Sequence, residues 1–91
     1  DGVEGNVDDC TIIEPVYIAP GARAARSVLG PDVSLEGGAV VEDSVLSRTI
    51  VFANGRVTRS RLEDSLVGQY AEVTGQAVRA NIGDHSTLEP V

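Results

Sequence analysis

The side chains that can do chemistry are few. The 91 residues include one histidine, His85, and one cysteine, Cys10. Three adjacent acid pairs, Asp8-Asp9, Glu42-Asp43 and Glu63-Asp64, complete the set. A histidine acts as a general base when a proton donor lies within hydrogen-bond reach. A thiol becomes a nucleophile when a base stands beside it. A single cysteine excludes an internal disulfide framework and any cysteine-based zinc site. A three-histidine zinc site fails on the histidine count unless symmetry gathers three copies. The acid pairs raise metal binding or acid–base work. Adjacent residues of an extended chain point to opposite sides, however, so such carboxylates do not converge. No catalytic, cofactor-binding or metal-binding residue is assigned.

The elements that must position these groups are strands and turns. There are 14 Val, 5 Ile and 6 Leu, three aromatics, and no Trp or Met. Glycine and proline contribute 10 and 4 residues. β-Branched residues favour strands, and a helical bundle needs long runs of Leu, Met and Ala. Fourteen acids face seven bases, all arginine, for a net charge of −7. That sign argues against nucleic acid or an anionic membrane as partner. No apolar run approaches the roughly 18 residues of a membrane span. The sequence opens on Asp1, which reads as a fragment or processed product of a larger protein.

The aliphatic residues keep a register. Three columns emerge when the large aliphatic is followed every five or six residues. They are Ile13, Leu29, Leu46, Leu62, Val78; Ile18, Leu35, Val51, Val67, Ile82; and Ala24, Val41, Val57, Val73, Leu88. The residue two before each is small from Ser27 onward, Gln76 excepted. Residues i and i−2 of a strand share a face. One large and one small inward residue per side fill a narrow triangular prism. Gly, Pro, Asn and Asp fall at its corners. The fold class read from this pattern is all-β, a parallel β-helix of about five three-sided coils. At roughly 4.8 Å per coil the rod is about 24 Å long. Residues 11–89 form the coils of a single domain, and 1–10 an irregular N-terminal cap. His85 and Cys10 lie about four coils apart, roughly 19 Å, and form no dyad within one chain.

The same register stacks opposite charges on neighbouring coils. It sets Arg48 over Asp64, Asp43 over Arg59, Glu63 beside Arg79 and Arg56 beside Glu72. Exposed pairs of this kind each contribute about 0.2–1 kcal/mol. Outward residues run Ile12, Val28, Val45, Arg61, Ala77 on one side and Tyr17, Ser34, Ile50, Leu66, Asn81 on the next. Apolar side chains stand where water is expected, which marks a covered surface. Ile12, Val28 and Val45 are the expected interface with another domain or subunit, with Ile50 and Leu66 a second contact.

Two stretches carry a family resemblance: Thr11-Ile12-Ile13-Glu14-Pro15-Val16-Tyr17-Ile18, and Ser27-Val28-Leu29-Gly30-Pro31-Asp32-Val33-Ser34-Leu35. They resemble hexapeptide-repeat coils of left-handed β-helix domains. The likeness is to the C-terminal domain of sugar-phosphate nucleotidyltransferases of the long-form glucose-1-phosphate thymidylyltransferase type, over roughly residues 11–89. The resemblance alone implies the left hand, since parallel crossovers are ordinarily right-handed. In that family an N-terminal α/β domain transfers a nucleotidyl group to a sugar 1-phosphate, using a glycine-rich loop and metal-binding acids. This sequence shows neither, and no such residue carries over. The resemblance implies a non-catalytic oligomerisation or regulatory module in the cytoplasm. Its partner is another copy or the parent's catalytic domain, and no cofactor is implied. The alternative is a hexapeptide-class acyltransferase with an intersubunit site near His85, although no loop insertion interrupts the register. A free-standing or engineered scaffold is a third reading. Ala24 in a column, Gln76 at a small site and Phe52 at a corner depart from the family pattern.

Overall fold

Short extended segments joined by tight corners are what this spacing dictates. A computed structural model describes them over residues 2–75 and 79–89. The strands are β1 (Asn6–Asp8), β2 (Thr11–Ile12), β3 (Val16–Ile18), β4 (Arg23–Ala25), β5 (Val28–Leu29), β6 (Val33–Leu35) and β7 (Val40–Glu42). They continue with β8 (Val45–Val51), β9 (Arg56–Thr58), β10 (Arg61–Val67), β11 (Glu72–Thr74), β12 (Asn81–Ile82) and β13 (Thr87–Leu88). No helix occurs among the described residues. Each strand pairs in parallel with the one a coil away, which satisfies the backbone of the extended sides.

Three faces result. The third is a sheet in the order β1-β4-β7-β9-β11-β13. The first and second merge into one seven-stranded sheet. They merge because β8 and β10 run unbroken through the intervening corner, turning at Arg48 and Asp64 with φ of 48° and 50°. The chain is thus a parallel β-helix of about five coils, as the sequence indicates. The rod measures 36 × 19 × 19 Å.

The axis holds the expected columns. Leu29, Leu46 and Leu62 line the first face, Ile18, Leu35, Val51 and Val67 the second, and Ala24, Val41, Val57 and Val73 the third, all buried. Fully burying one such aliphatic side chain stabilises the fold by about 1.5–3 kcal/mol. The small inward partners are polar where their hydroxyls find carbonyls. The Ser44 hydroxyl donates to the Glu42 carbonyl at 2.8 Å and accepts the Ser60 N–H at 3.1 Å. The Ser27 hydroxyl donates to the Ala25 carbonyl and accepts the Ser44 N–H in the same way. These bonds tie successive coils at a buried corner.

One expectation is corrected. Ile12, not Ile13, stands in the first column: Ile12 registers with Leu29 and packs on the core, whereas Ile13 is 45% exposed. The first coil matches the second, with six residues from Ile12 to Ile18 as from Leu29 to Leu35. Gly30 at φ 115° leaves room for the Ile13 carbonyl, which any Cβ there would strike. The segment before residue 11, expected as an irregular cap, contains one short strand. β1 adds a strand below β4, and Val3 bridges to Ile18. Asp1, Gln76, Ala77 and Val78 lie outside the described residues.

Candidate interaction surface

The corners account for seven of the 21 charged residues. Most corners carry a residue at positive φ, and these fall in three columns. One runs Asp9, Arg26, Asp43, Arg59, Gly75, and another holds Asp32, Arg48 and Asp64. The third runs Gly21, Gly38, Asn54, Tyr70, His85. Asp, Asn and Gly tolerate this region best. The second acid of each pair, at 9, 43 and 64, is therefore a corner residue. No group of three or more His, Cys, Asp or Glu is placed to hold a metal ion among the described residues.

The first two corners are alternating charge ladders. Arg48 meets Asp64 at 2.7 Å, as its stacking requires, and Arg79 joins at 3.5 Å. Arg26 holds Asp43 at 2.8 Å, below it in the ladder, where the sequence set Asp43 over Arg59. The Glu63–Arg79 pairing is likewise replaced by Asp64–Arg79. Arg56 and Glu72 are register partners on β9 and β11. Hydrogen bonding from Arg26 lowers the Asp43 carboxyl, and that from Arg48 lowers Asp64. Both guanidinium groups are raised in return, by the same bonds.

Cys10 and His85 are accounted for structurally. Cys10 fills the small inward position that Ser27 and Ser44 take higher up, with Sγ 3.5 Å from the Asp8 carbonyl. His85 is an exposed corner residue whose ring stacks on Tyr70, with centroids 5.2 Å apart and planes 3° from parallel. Sequence reasoning missed this stack, though both residues fall three after the second-column aliphatics Val67 and Ile82.

Of the expected interface residues, four face outward and one does not. Val28 and Val45 are register partners on the first face, Val45 being 39% exposed. Thr11, not Ile12, lies below Val28, and Arg61 lies above Val45. On the second face Tyr17, Ser34, Ile50, Leu66 and Asn81 form one outward row. Tyr17 and Leu66 are 43% and 39% exposed. The ladder Asp32, Arg48, Asp64, Arg79 runs between these apolar patches. They look in different directions, so one flat partner cannot cover both.

The fold and surface define a parallel β-helix with outward apolar rows. No family model matches the chain. It is 35% identical, over 91% of its length, to a glucose-1-phosphate thymidylyltransferase from Streptomyces griseus. The match lies in the C-terminal region of that protein and spans 25% of it. A glucose-1-phosphate thymidylyltransferase from Streptomyces antibioticus is 30% identical over 97% of the chain and 26% of the relative. The chain thus spans about a quarter of the length of these relatives, and the resemblance read from its repeats holds. Among solved structures, the CcmM N-terminal domain in complex with CcmN superposes with a TM-score of 0.52 at 22% identity, covering 94% of this chain and 90% of that one. A perosamine N-acetyltransferase variant from Caulobacter crescentus, in complex with CoA and GDP-perosamine, gives 0.50 at 13%, covering 92% and 53%. At these identities the likeness is of fold.

Proposed function

We propose that this chain is a non-catalytic oligomerisation or regulatory β-helix module of a sugar-phosphate nucleotidyltransferase. The nucleotidyl transfer to a sugar 1-phosphate belongs to a part of the parent protein outside this sequence. The observation that carries the reading is the pair of outward apolar patches on a molecule whose chemically able side chains have structural roles. Val28 and Val45 pack against the catalytic domain or another subunit, and Ile50 and Leu66 make the second contact. Ile12 is withdrawn from that surface because it packs on the core. The module works in the cytoplasm without a cofactor.

The similarity to two thymidylyltransferases supports the parentage. The stack of His85 on Tyr70 supports a structural histidine over an acyltransferase base. Replacing Val28 and Val45 together by lysine tests the first patch. Lysine on an outward strand position keeps the fold, so circular dichroism stays unchanged. Light scattering of the parent protein then shows a smaller assembly. An unchanged mass overturns the role of these two residues.

A further inference from the structure

We infer that the second face is a self-complementary docking surface, on which two copies of this chain meet antiparallel across a two-fold axis between Ile50 and Leu66. The inference rests on the association role proposed above and names its face, partner and geometry. An isologous contact uses the same patch twice, so each residue must suit its counterpart in the second copy.

The register allows that test residue by residue. Ile50, Leu66 and Asn81 follow Ser34 in the outward row, one per coil. A two-fold perpendicular to the rod, centred between Ile50 and Leu66, sets Ile50 on Leu66 of the second copy. It sets Ser34 on Asn81 of that copy, a pair able to hydrogen-bond. Ser34 lies in a notch bounded by Tyr17 and Ile50, with room for the longer amide.

The corner beside this row meets its own copy reversed. The order Asp32, Arg48, Asp64, Arg79 then lies against Arg79, Asp64, Arg48, Asp32. Every acid faces an arginine, and the Arg48–Asp64 bond becomes part of a four-residue network. An alternating ladder with an even number of rungs has this property only when read antiparallel. A parallel two-fold instead lays the ladder on the corner residues Gly38, Asn54, Tyr70 and His85, none of them an acid or an arginine. Reversed on itself, the first face sets Val28 on Val45 and Asp9–Arg26–Asp43–Arg59 on its reverse, but it also sets Arg61 on Thr11. The second face sets the larger side chains Ile50 and Leu66 on each other without such a mismatch, and Tyr17 lies beyond the paired coils. A rod face bounded by 36 × 19 Å is below the ~800 Å² per partner of a standard interface, so the dimer is weak and concentration-dependent.

The test uses the 91-residue chain and two single variants, Asp32→Arg and Arg79→Asp, followed by sedimentation equilibrium with circular dichroism as folding control. Each variant alone sets like charges opposite each other twice, and association falls at least tenfold. Mixed in equal amounts, the two variants restore opposite charges at both positions and associate as the wild type does. The matching pair on the other ladder, Asp9→Arg and Arg59→Asp, shows no such recovery. Recovery by the second pair but not the first overturns the face assigned here and keeps the association role. No recovery with either pair, from a wild type that associates, overturns the antiparallel arrangement alone. A wild type that stays monomeric overturns self-association itself. If a variant fails to fold, Leu66→Glu replaces it, and undiminished association of that variant likewise overturns the inference.

Discussion

At the scale of single residues, the informative positions are those where a polar atom is buried. Ser44 is 3% exposed and its hydroxyl serves two coils at once. Ser44→Ala leaves the Ser60 N–H without its acceptor, and a buried donor so stranded costs about 1–3 kcal/mol. Urea unfolding should show that loss, whereas a change at exposed Thr11 should show almost none. The ladder carboxylates act differently, because they sit in solvent. Asp43 and Asp64 are held below their ordinary values, chiefly by hydrogen bonds from Arg26 and Arg48. A lowered folded value contributes stability that is present above the unfolded value of about 3.9 and is lost as pH falls through the folded one. The melting temperature should therefore drop as pH falls below about 4. An Asp43→Asn, Asp64→Asn variant should start lower at neutral pH and drop less. A wild type and variant with parallel acid limbs would remove the ladders from the account.

At the scale of elements, register decides which side chain is core. The first coil makes the point, because Ile12 and Ile13 are both large, aliphatic and adjacent. Ile12→Lys places a charge against the Leu29 column and should unfold the first coil or lower its melting temperature sharply. Ile13→Lys, at a position already 45% exposed, should leave stability nearly unchanged. Thermal melts of the two variants test the register directly. Most of the strand plan was legible in the sequence, since the second and third columns are occupied by the residues that the spacing selects. The first column slipped by one at its lower end because a strictly aliphatic criterion cannot choose between two isoleucines. The small residue two before does choose: Cys10 stands to Ile12 as Ser27 stands to Leu29. The charged corners were legible as stacks but not as particular pairs. An arginine between two acids of a ladder bonds the one its side chain can reach, which depends on corner conformation. The N-terminal strand was hidden because Asn6–Asp8 carries only one aliphatic residue. The hand of the coil came from the family resemblance, as spacing alone does not encode it.

At the scale of the whole molecule, the rod buries its aliphatics on one axis and still carries apolar side chains outside. A monomer with no partner gains nothing from Ile50 and Leu66 on one face, where water would otherwise be met by polar residues. Association covers them, and the two Streptomyces relatives are about four times as long as this chain. The net charge of −7 works against close approach of two copies at low salt, so any contact must set its few arginines against acids. The most direct measurement is the mass of the 91-residue chain in solution as its concentration is raised. The account expects 9.5 kDa at low concentration, rising toward twice that value, with the rise abolished by Leu66→Glu. A mass fixed at 9.5 kDa over the whole range would contradict it.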